Sequence, residues 1–135
     1  MLLSTFERFY VNSWLRHRVQ RPIELAIFNR LHPFPHHAHW LDVGCGNGRA
    51  LRALAARVAP LGLTGVDADA AQIERARATL KRANISAVLQ VADAANMPLP
   101  AQTYDAVTGF GVLHHLEHWP KGVVEIARVL RHGGV

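Results

Sequence analysis

From Trp40 onward, short apolar runs alternate with longer segments that have helical periodicity. This alternation is typical of the strand, crossover helix, strand units that build a parallel sheet. It predicts an α/β fold, with helices packed on the faces of the sheet. We expect strands near 39–43, 62–66, 86–91 and 104–109, and helices near 48–58, 69–83 and 119–130.

The segment before this pattern has a different character. Residues 2–31 carry apolar side chains at helical spacing, and Pro22 suits the first turn of a helix, so we expect two amino-terminal helices. The stretch 31–39 combines two prolines with clustered histidines, which predicts a linker. We therefore divide the chain into helices and linker, 1–38, and a folded domain, 39–135.

Length and composition favour an ordinary globular domain. A chain of 135 residues can bury one core, and its single cysteine, Cys45, excludes an intrachain disulfide. The first residues do not form a basic leader followed by an apolar stretch, so we expect a cytoplasmic protein. The net charge of +5 would suit nucleic acid or an anionic membrane. A solvated basic face is the preferred interpretation; nucleic acid is not expected as a partner, and peripheral membrane contact stays open but is not favoured.

A glycine-rich loop joins the first predicted strand to its helix. Gly44, Gly46 and Gly48 allow close approach of the backbone to a ligand, and the N–H groups at the helix start suit an anionic group. The spacing fits neither a nucleotide phosphate loop nor the dinucleotide fingerprint, so an NAD-dependent enzyme is disfavoured. The carboxylate of Asp42 would repel a pyrophosphate and attract an ammonium or sulfonium group. The loop therefore predicts a zwitterionic or cationic ligand.

Acidic residues stand at the ends of three predicted strands. Asp67 lies about 20 residues beyond the loop, where a carboxylate can accept hydrogen bonds from a ribose diol. Asp93 could accept a hydrogen bond from the exocyclic amine of adenine, while Ala94 offers a backbone N–H as a donor. Because parallel strands share one carboxyl edge, we expect Asp42, Asp67 and Asp93 to converge there. Asp69 is predicted to cap the following helix instead.

These segments resemble the class I S-adenosylmethionine-dependent methyltransferase family, in particular its small-molecule, quinone-biosynthesis-like group. The resemblance covers roughly 39–135 and implies a Rossmann-like sheet of strand order 3-2-1-4, with a fifth strand only beginning. It also implies S-adenosylmethionine as cofactor and a small-molecule methyl acceptor with an oxygen, nitrogen or carbon nucleophile. The segments that carry it are LDVGCGNG at 41–48, GVD at 65–67, DAANMPLP at 93–100, YDAV at 104–107, VLHHL at 112–116 and EIARVL at 125–130.

The resemblance assigns cofactor contacts residue by residue. The loop glycines would wrap the methionine part, Asp67 would hold the ribose, and Asp42 would hold the amino group directly or through water. Phe110 would flank the bound ligand, while Asp105 is expected to support the fourth strand. The full set of implied cofactor-binding residues is Asp42, Gly44, Cys45, Gly46, Gly48, Asp67, Ala68, Asp93, Ala94 and Phe110.

The same resemblance raises the question of completeness. The chain ends at Val135, where a fifth strand is expected to begin, and the carboxyl-terminal part of the family's domain is expected to be missing. The fourth strand would then be an apolar edge without a neighbour, which favours self-association. The alternative to an active enzyme is thus an incomplete cofactor-binding remnant that needs a partner chain.

Histidines offer two further hypotheses. His114 and His118 lie four positions apart, but nothing completes a convincing ligand set, so no metal is predicted. His115 is a candidate general base near the methyl acceptor. The cluster His36, His37 and His39 is interpreted as a solvated loop.

Overall fold

The computed structural model of the chain describes residues 21–31, 33–110, 112 and 115–135. The chain divides into two compact units, with the boundary between Phe34 and Pro35. The first predicted amino-terminal helix lies outside the described residues, and the division of the chain at residue 38 stays a prediction. The described elements, in chain order, are α1 Arg21–Leu31, β1 His39–Val43, α2 Arg49–Val58, β2 Gly62–Asp67, α3 Ala70–Arg82, β3 Val88–Val91, β4 Ala106–Thr108 and α4 Trp119–Val129.

The first unit contains α1, which confirms the helix predicted around Pro22. After it, the side-chain oxygen Oδ1 of Asn29 accepts the backbone N–H of Phe34 at 2.7 Å. No helix or strand spans 33–38, as the prolines predict. The chain then enters β1 at the start of the second unit.

The second unit is built on a parallel four-stranded sheet of order β3-β2-β1-β4. This confirms the predicted α/β class and the 3-2-1-4 order. Strands β3 and β4 are shorter than predicted. At β4, Tyr104 forms an isolated parallel bridge with Leu130, and Asp105 donates its N–H to the carbonyl of His39, so only Ala106–Thr108 runs in register with β1.

Helices cover both faces of this sheet. On one face, a Cβ atom placed on Gly65 of β2 would lie 2.6 Å from the Leu51 side chain, so α2 packs directly on the strand. On the other face, the buried side chains of Leu41 and Val66 pack in one cluster with Val129 of α4. The two helical layers hold the carboxyl edge of the sheet in place, and this edge carries the predicted site.

The free side of β4 already has a backbone partner. Val135 donates its N–H to the carbonyl of Asp105 at 3.1 Å and accepts the N–H of Val107 at 2.7 Å. This alternation is the hydrogen-bond pattern of a neighbouring parallel strand. The expectation that this edge would lack any neighbour is therefore wrong at Asp105–Val107, since the last residue has started to pair there.

Candidate functional site

The glycine-rich loop leaves the carboxyl end of β1 and leads into α2. Gly44, Gly46 and Gly48 have φ values of 70°, 52° and 78°, in the left-handed region that side chains disfavour. A Cβ atom on Gly48 would stand 2.9 Å from the Cα of Ala76, so α3 needs the glycine there. A Cβ atom on Gly46 would meet nothing within 4 Å. The loop is thus packed at Gly48 and open at Gly46, where a ligand has room to approach.

The loop is bound to the end of β2 by backbone and carboxylate contacts. The N–H groups of Gly44 and Cys45 both donate to the carbonyl of Val66, at 2.8 and 2.9 Å. The carboxylate of Asp67 accepts the N–H of Gly46 on Oδ2, at 2.8 Å, and the N–H of Asp69 on Oδ1, at 2.9 Å. Each carboxylate oxygen has a second lone pair, so Asp67 can still accept hydrogen bonds from a ligand while it anchors the loop.

Asp42 lies behind this loop, within β1. Asp42 is 1% exposed, and the hydroxyl of Thr108 in β4 donates to its Oδ1 at 2.9 Å. Thr108 faces Asp42 in the β1–β4 register, yet sequence reasoning gave Thr108 no role. The sequence gives only a weak signal of this contact, because threonine is frequent in strands through its β propensity alone.

Cys45 lies in the loop close enough to Asp42 and Asp67 to feel the charge of both carboxylates, and it is 3% exposed. Burial raises the pKa of its thiol to about 12, and the negative charges of Asp42 and Asp67 push in the same direction. The thiol is therefore neutral at physiological pH. A cysteine in this state packs as a small apolar side chain and is a poor nucleophile.

Asp93 follows β3 and shapes the next loop. Its Oδ1 accepts the N–H of Ala95 at 2.8 Å, and its carbonyl accepts the N–H of Asn96 at 3.0 Å. The turn is tied to its neighbour because the N–H of Ala92 donates to the carbonyl of Asp67 at 3.0 Å. Ala94 is buried in the core, which fixes the direction of its backbone. The ends of β2 and β3 therefore lie side by side, as the parallel topology predicts.

The remaining predicted site residues lie around the same edge. Ala68 is exposed directly after β2, and Phe110 is half-buried two residues beyond the end of β4. His115 is exposed and donates its backbone N–H to the carbonyl of Val112 at 3.0 Å. The ligand contacts assigned to these residues, and the role of His115 as a base, stay predictions. His114 lies outside the described residues.

Two acidic residues were assigned structural roles, and both assignments are confirmed. Asp69 caps α3 by accepting the N–H of Ala71 at 2.8 Å. Asp105 accepts the N–H of His39 at 2.8 Å and pairs with Arg131, so it fastens the amino ends of β1 and β4. These contacts lower the pKa of Asp105, chiefly through the His39 N–H and then through Arg131.

Across the residues that the structure describes, every helix is too short or too polar to cross a lipid bilayer. No group of three or more histidine, cysteine, aspartate or glutamate side chains in the described ranges is arranged to hold a metal ion.

Known proteins resemble this chain over the same residues. Residues 41–134 match the family described as "Methyltransferase domain". The 27-O-demethylrifamycin SV methyltransferase of Amycolatopsis mediterranei is 36% identical over 97 residues, covering 70% of this chain and 35% of that protein. The demethylmenaquinone methyltransferase of Symbiobacterium thermophilum is 36% identical over 99 residues, covering 71% and 39%. The chain thus spans less than half the length of these relatives.

Solved structures with low sequence identity to this chain also have its fold. The cyclase SpnF superposes with a TM-score of 0.74 at 23% identity, covering 81% of this chain and 40% of that one. A protein named for cyclisation therefore shares this architecture, so the fold by itself does not fix the reaction. The family match rests on sequence, extends over most of the chain, and includes the glycine loop and the acidic strand ends. The chain belongs to the methyltransferase domain family.

Proposed function

We propose that this chain binds S-adenosylmethionine and forms the cofactor-binding part of a small-molecule methyltransferase. The observation that carries the proposal is the junction of Gly46 and Asp67. Gly46 is open on the side where a Cβ atom would stand, and its N–H is held by the carboxylate that ends β2. A ligand seated there would meet bare backbone and a carboxylate acceptor together.

The residues at this edge fit the chemistry of the cofactor. Asp67 would accept the ribose hydroxyls with its remaining lone pairs, and Asp93 with Ala94 would meet adenine. The buried charge of Asp42 would favour the cationic amino group through Coulomb attraction. Gly44, Gly46 and Gly48 would surround the methionine part. Cys45 and Ala68 would contribute at the two strand ends, and Phe110 would flank the ligand.

When bound, the cofactor supplies an electrophilic methyl group on a sulfonium. The protein's own contribution would be mainly orientation, since holding two reactants in line at roughly 3 to 3.5 Å removes much of the entropic barrier. His115 would take the proton from an acceptor hydroxyl or amine as that group attacks. The neutral thiol of Cys45 would stay outside the chemistry because the buried sulfur is protonated.

The proposed acceptor is a small molecule with an oxygen, nitrogen or carbon nucleophile. The curated relatives named for demethylrifamycin and demethylmenaquinone support this class. The matched part covers 35% and 39% of these relatives, so we propose that much of the acceptor site lies in sequence outside the matched part. The alternative keeps cofactor binding and assigns turnover to a complex with a partner chain.

We propose a cytoplasmic location for this activity, supported by the single buried cysteine, which suits a reducing compartment. Nucleic acid is not a proposed partner, and membrane contact is not favoured. Self-association through the outer side of β4 is retained as a proposal, because strand edges can pair with a second chain.

Calorimetric titration of the purified chain tests the proposal, with circular dichroism to establish folding. We expect saturable binding of S-adenosylmethionine and S-adenosylhomocysteine, and none of NAD. A folded chain that binds neither sulfur ligand would refute the proposed cofactor. Transfer of the labelled methyl group from the cofactor to a panel of phenols and hydroquinones is then measured with and without candidate partner chains. Transfer by the chain alone indicates a complete enzyme, and transfer only with a partner chain indicates a remnant.

A further inference from the structure

An ion pair on α4 reaches across to the loop that follows β3. Arg128 forms a bidentate pair with Glu125, at 2.7 Å from Nε to Oε1 and 2.8 Å from Nη2 to Oε2. The Glu125 side chain is 16% exposed and that of Arg128 35%. At spacing i, i+3, such a pair on a helix surface normally adds little to the stability of the helix. The remaining hydrogen bonds of the two side chains point to a different role.

Both side chains also bind the backbone of the segment 97–99. Glu125 accepts the N–H of Met97 at 2.8 Å, while Arg128 donates to the carbonyl of Met97 at 2.9 Å and to that of Leu99 at 2.8 Å. These contacts lower the pKa of Glu125, first through Arg128 and then through the Met97 N–H. Charge-assisted bonds of this kind are roughly twice as strong as neutral ones. Helix α4 is therefore fastened to the loop through its backbone, whatever side chains the loop carries.

The fastened segment begins one residue after the turn 93–96. The amino side of that turn is fixed by the Ala92 N–H on the carbonyl of Asp67, and its carboxyl side is fixed by Glu125 and Arg128 at Met97. Met97 is also buried in the core cluster. Asp93 and Ala94 are thus held between two anchors, one on β2 and one on α4.

We infer that Glu125 and Arg128 are positioning residues that set the adenine contact of the cofactor site. The inference rests on the proposed function. In this arrangement, Asp93 meets the exocyclic amine only while the turn is held from both ends. Loosening the α4 anchor leaves the glycine loop and Asp67 in place and weakens recognition of the base alone.

The test compares two ligands that differ only at the base. S-adenosylhomocysteine carries the exocyclic amine, whereas its 6-deamino analogue, with an unsubstituted purine, carries a hydrogen there. N1 keeps its lone pair in both ligands, so only the donor to Asp93 is lost. For Arg128→Met we expect about a 10-fold loss of affinity for the first ligand, and less than about a 3-fold change for the second. Arg128→Lys keeps the charge without the planar fork, so we expect an intermediate loss.

Arg131→Met provides the matched control. It removes another arginine–carboxylate pair, the one with Asp105 at the opposite edge of the sheet. We expect this variant to leave the affinity ratio of the two ligands unchanged. Hydrogen exchange without ligand adds a second readout: the amides of 95–97 should exchange faster in Arg128→Met and at the wild-type rate in Arg131→Met.

The outcomes separate the inference from the function beneath it. Equal losses for the two ligands, or no loss in a variant whose amides 95–97 exchange faster, would show that the pair stabilises the fold without setting the adenine contact. Unchanged exchange in Arg128→Met would refute the anchoring itself. If the wild-type chain binds neither ligand, the proposed function fails together with this inference, while the exchange data still report on the anchor.

Discussion

Gly48 is the residue at which the loop is least tolerant of a side chain. Its φ is 78°, and an added Cβ atom would stand 2.9 Å from the backbone Cα of Ala76. Gly48→Ala should therefore cost about 1–2 kcal/mol for the left-handed conformation, plus the cost of displacing α3. Urea unfolding followed by circular dichroism measures this loss.

Gly46 is the matched comparison, with φ of 52° and nothing within 4 Å of an added Cβ atom. Gly46→Ala should lose only the stability that the left-handed backbone conformation costs, without a packing clash. It should lose more affinity for S-adenosylhomocysteine than Gly48→Ala does, because the new methyl group points into the open side of the loop. Equal stability losses at Gly46 and Gly48 would contradict this division between a packing glycine and a ligand-facing glycine.

Asp67 has two roles, because its carboxylate holds the N–H groups of Gly46 and Asp69 and is the proposed ribose acceptor. Asp67→Ala should lower cofactor affinity by roughly 10- to 150-fold, or about 1.5 to 3 kcal/mol, if charge-assisted ribose bonds are lost. Calorimetry on the folded variant measures it. An unchanged affinity would remove Asp67 from the site.

At the scale of elements, the N-terminus of α3 depends on Asp69, whose side chain accepts the N–H of Ala71 at 2.8 Å. Asp69→Ala removes this cap and should destabilise the chain by about 1 kcal/mol, with little change in cofactor affinity. Paired measurement of urea unfolding and calorimetry checks both statements. A large affinity loss here would mean that the turn after Asp67 cannot be separated from the ligand site.

The elements themselves were largely predictable from sequence, for a physical reason. Strands buried on both faces give continuous apolar runs, and an amphipathic helix gives a period near 3.6, so β1, β2 and α3 emerge within a residue or so of their predicted bounds. Strand β4 was overestimated because Tyr104 continues the apolar pattern while its backbone pairs with Leu130. Periodicity reports burial and carries no information about which strand is the partner.

The contacts of Glu125 and Arg128 with the loop 97–99 are of a kind that local sequence does not predict. Glu125 and Arg128 look like an ordinary helical ion pair at i, i+3. Their other partners are distant in sequence, since Met97 lies 28 residues before Glu125 and Leu99 lies 29 residues before Arg128. The partner atoms are backbone N–H and C=O groups, which every residue type provides. Side-chain identity therefore leaves no trace of the contact. The glycine loop is the opposite case, because its conformation demands a particular residue type.

At the scale of the whole molecule, two carboxylates in the described part of the chain make stability depend on pH, because their folded-state pKa is depressed. Glu125 and Asp105 both titrate below their ordinary values of 4.5 and 3.8, Glu125 chiefly because of Arg128 and Asp105 chiefly because of the His39 N–H. The folded state then binds fewer protons than the unfolded chain. Their stabilisation is present above those ordinary values and is lost as the pH falls through the folded-state pKa.

Glu125→Gln should therefore be less stable than wild type at pH 7 and should lose less stability as the pH is lowered below about 4.5, because it lacks the titrating carboxylate. Urea unfolding at a series of pH values from 7 to 3 gives both curves. Glu74→Gln is the control, since that carboxylate is 73% exposed and pairs with Arg77 at 3.5 Å, and its curve should parallel wild type. If the Glu125→Gln curve also ran parallel to wild type, the anchor would make no contribution to the acid sensitivity of the fold.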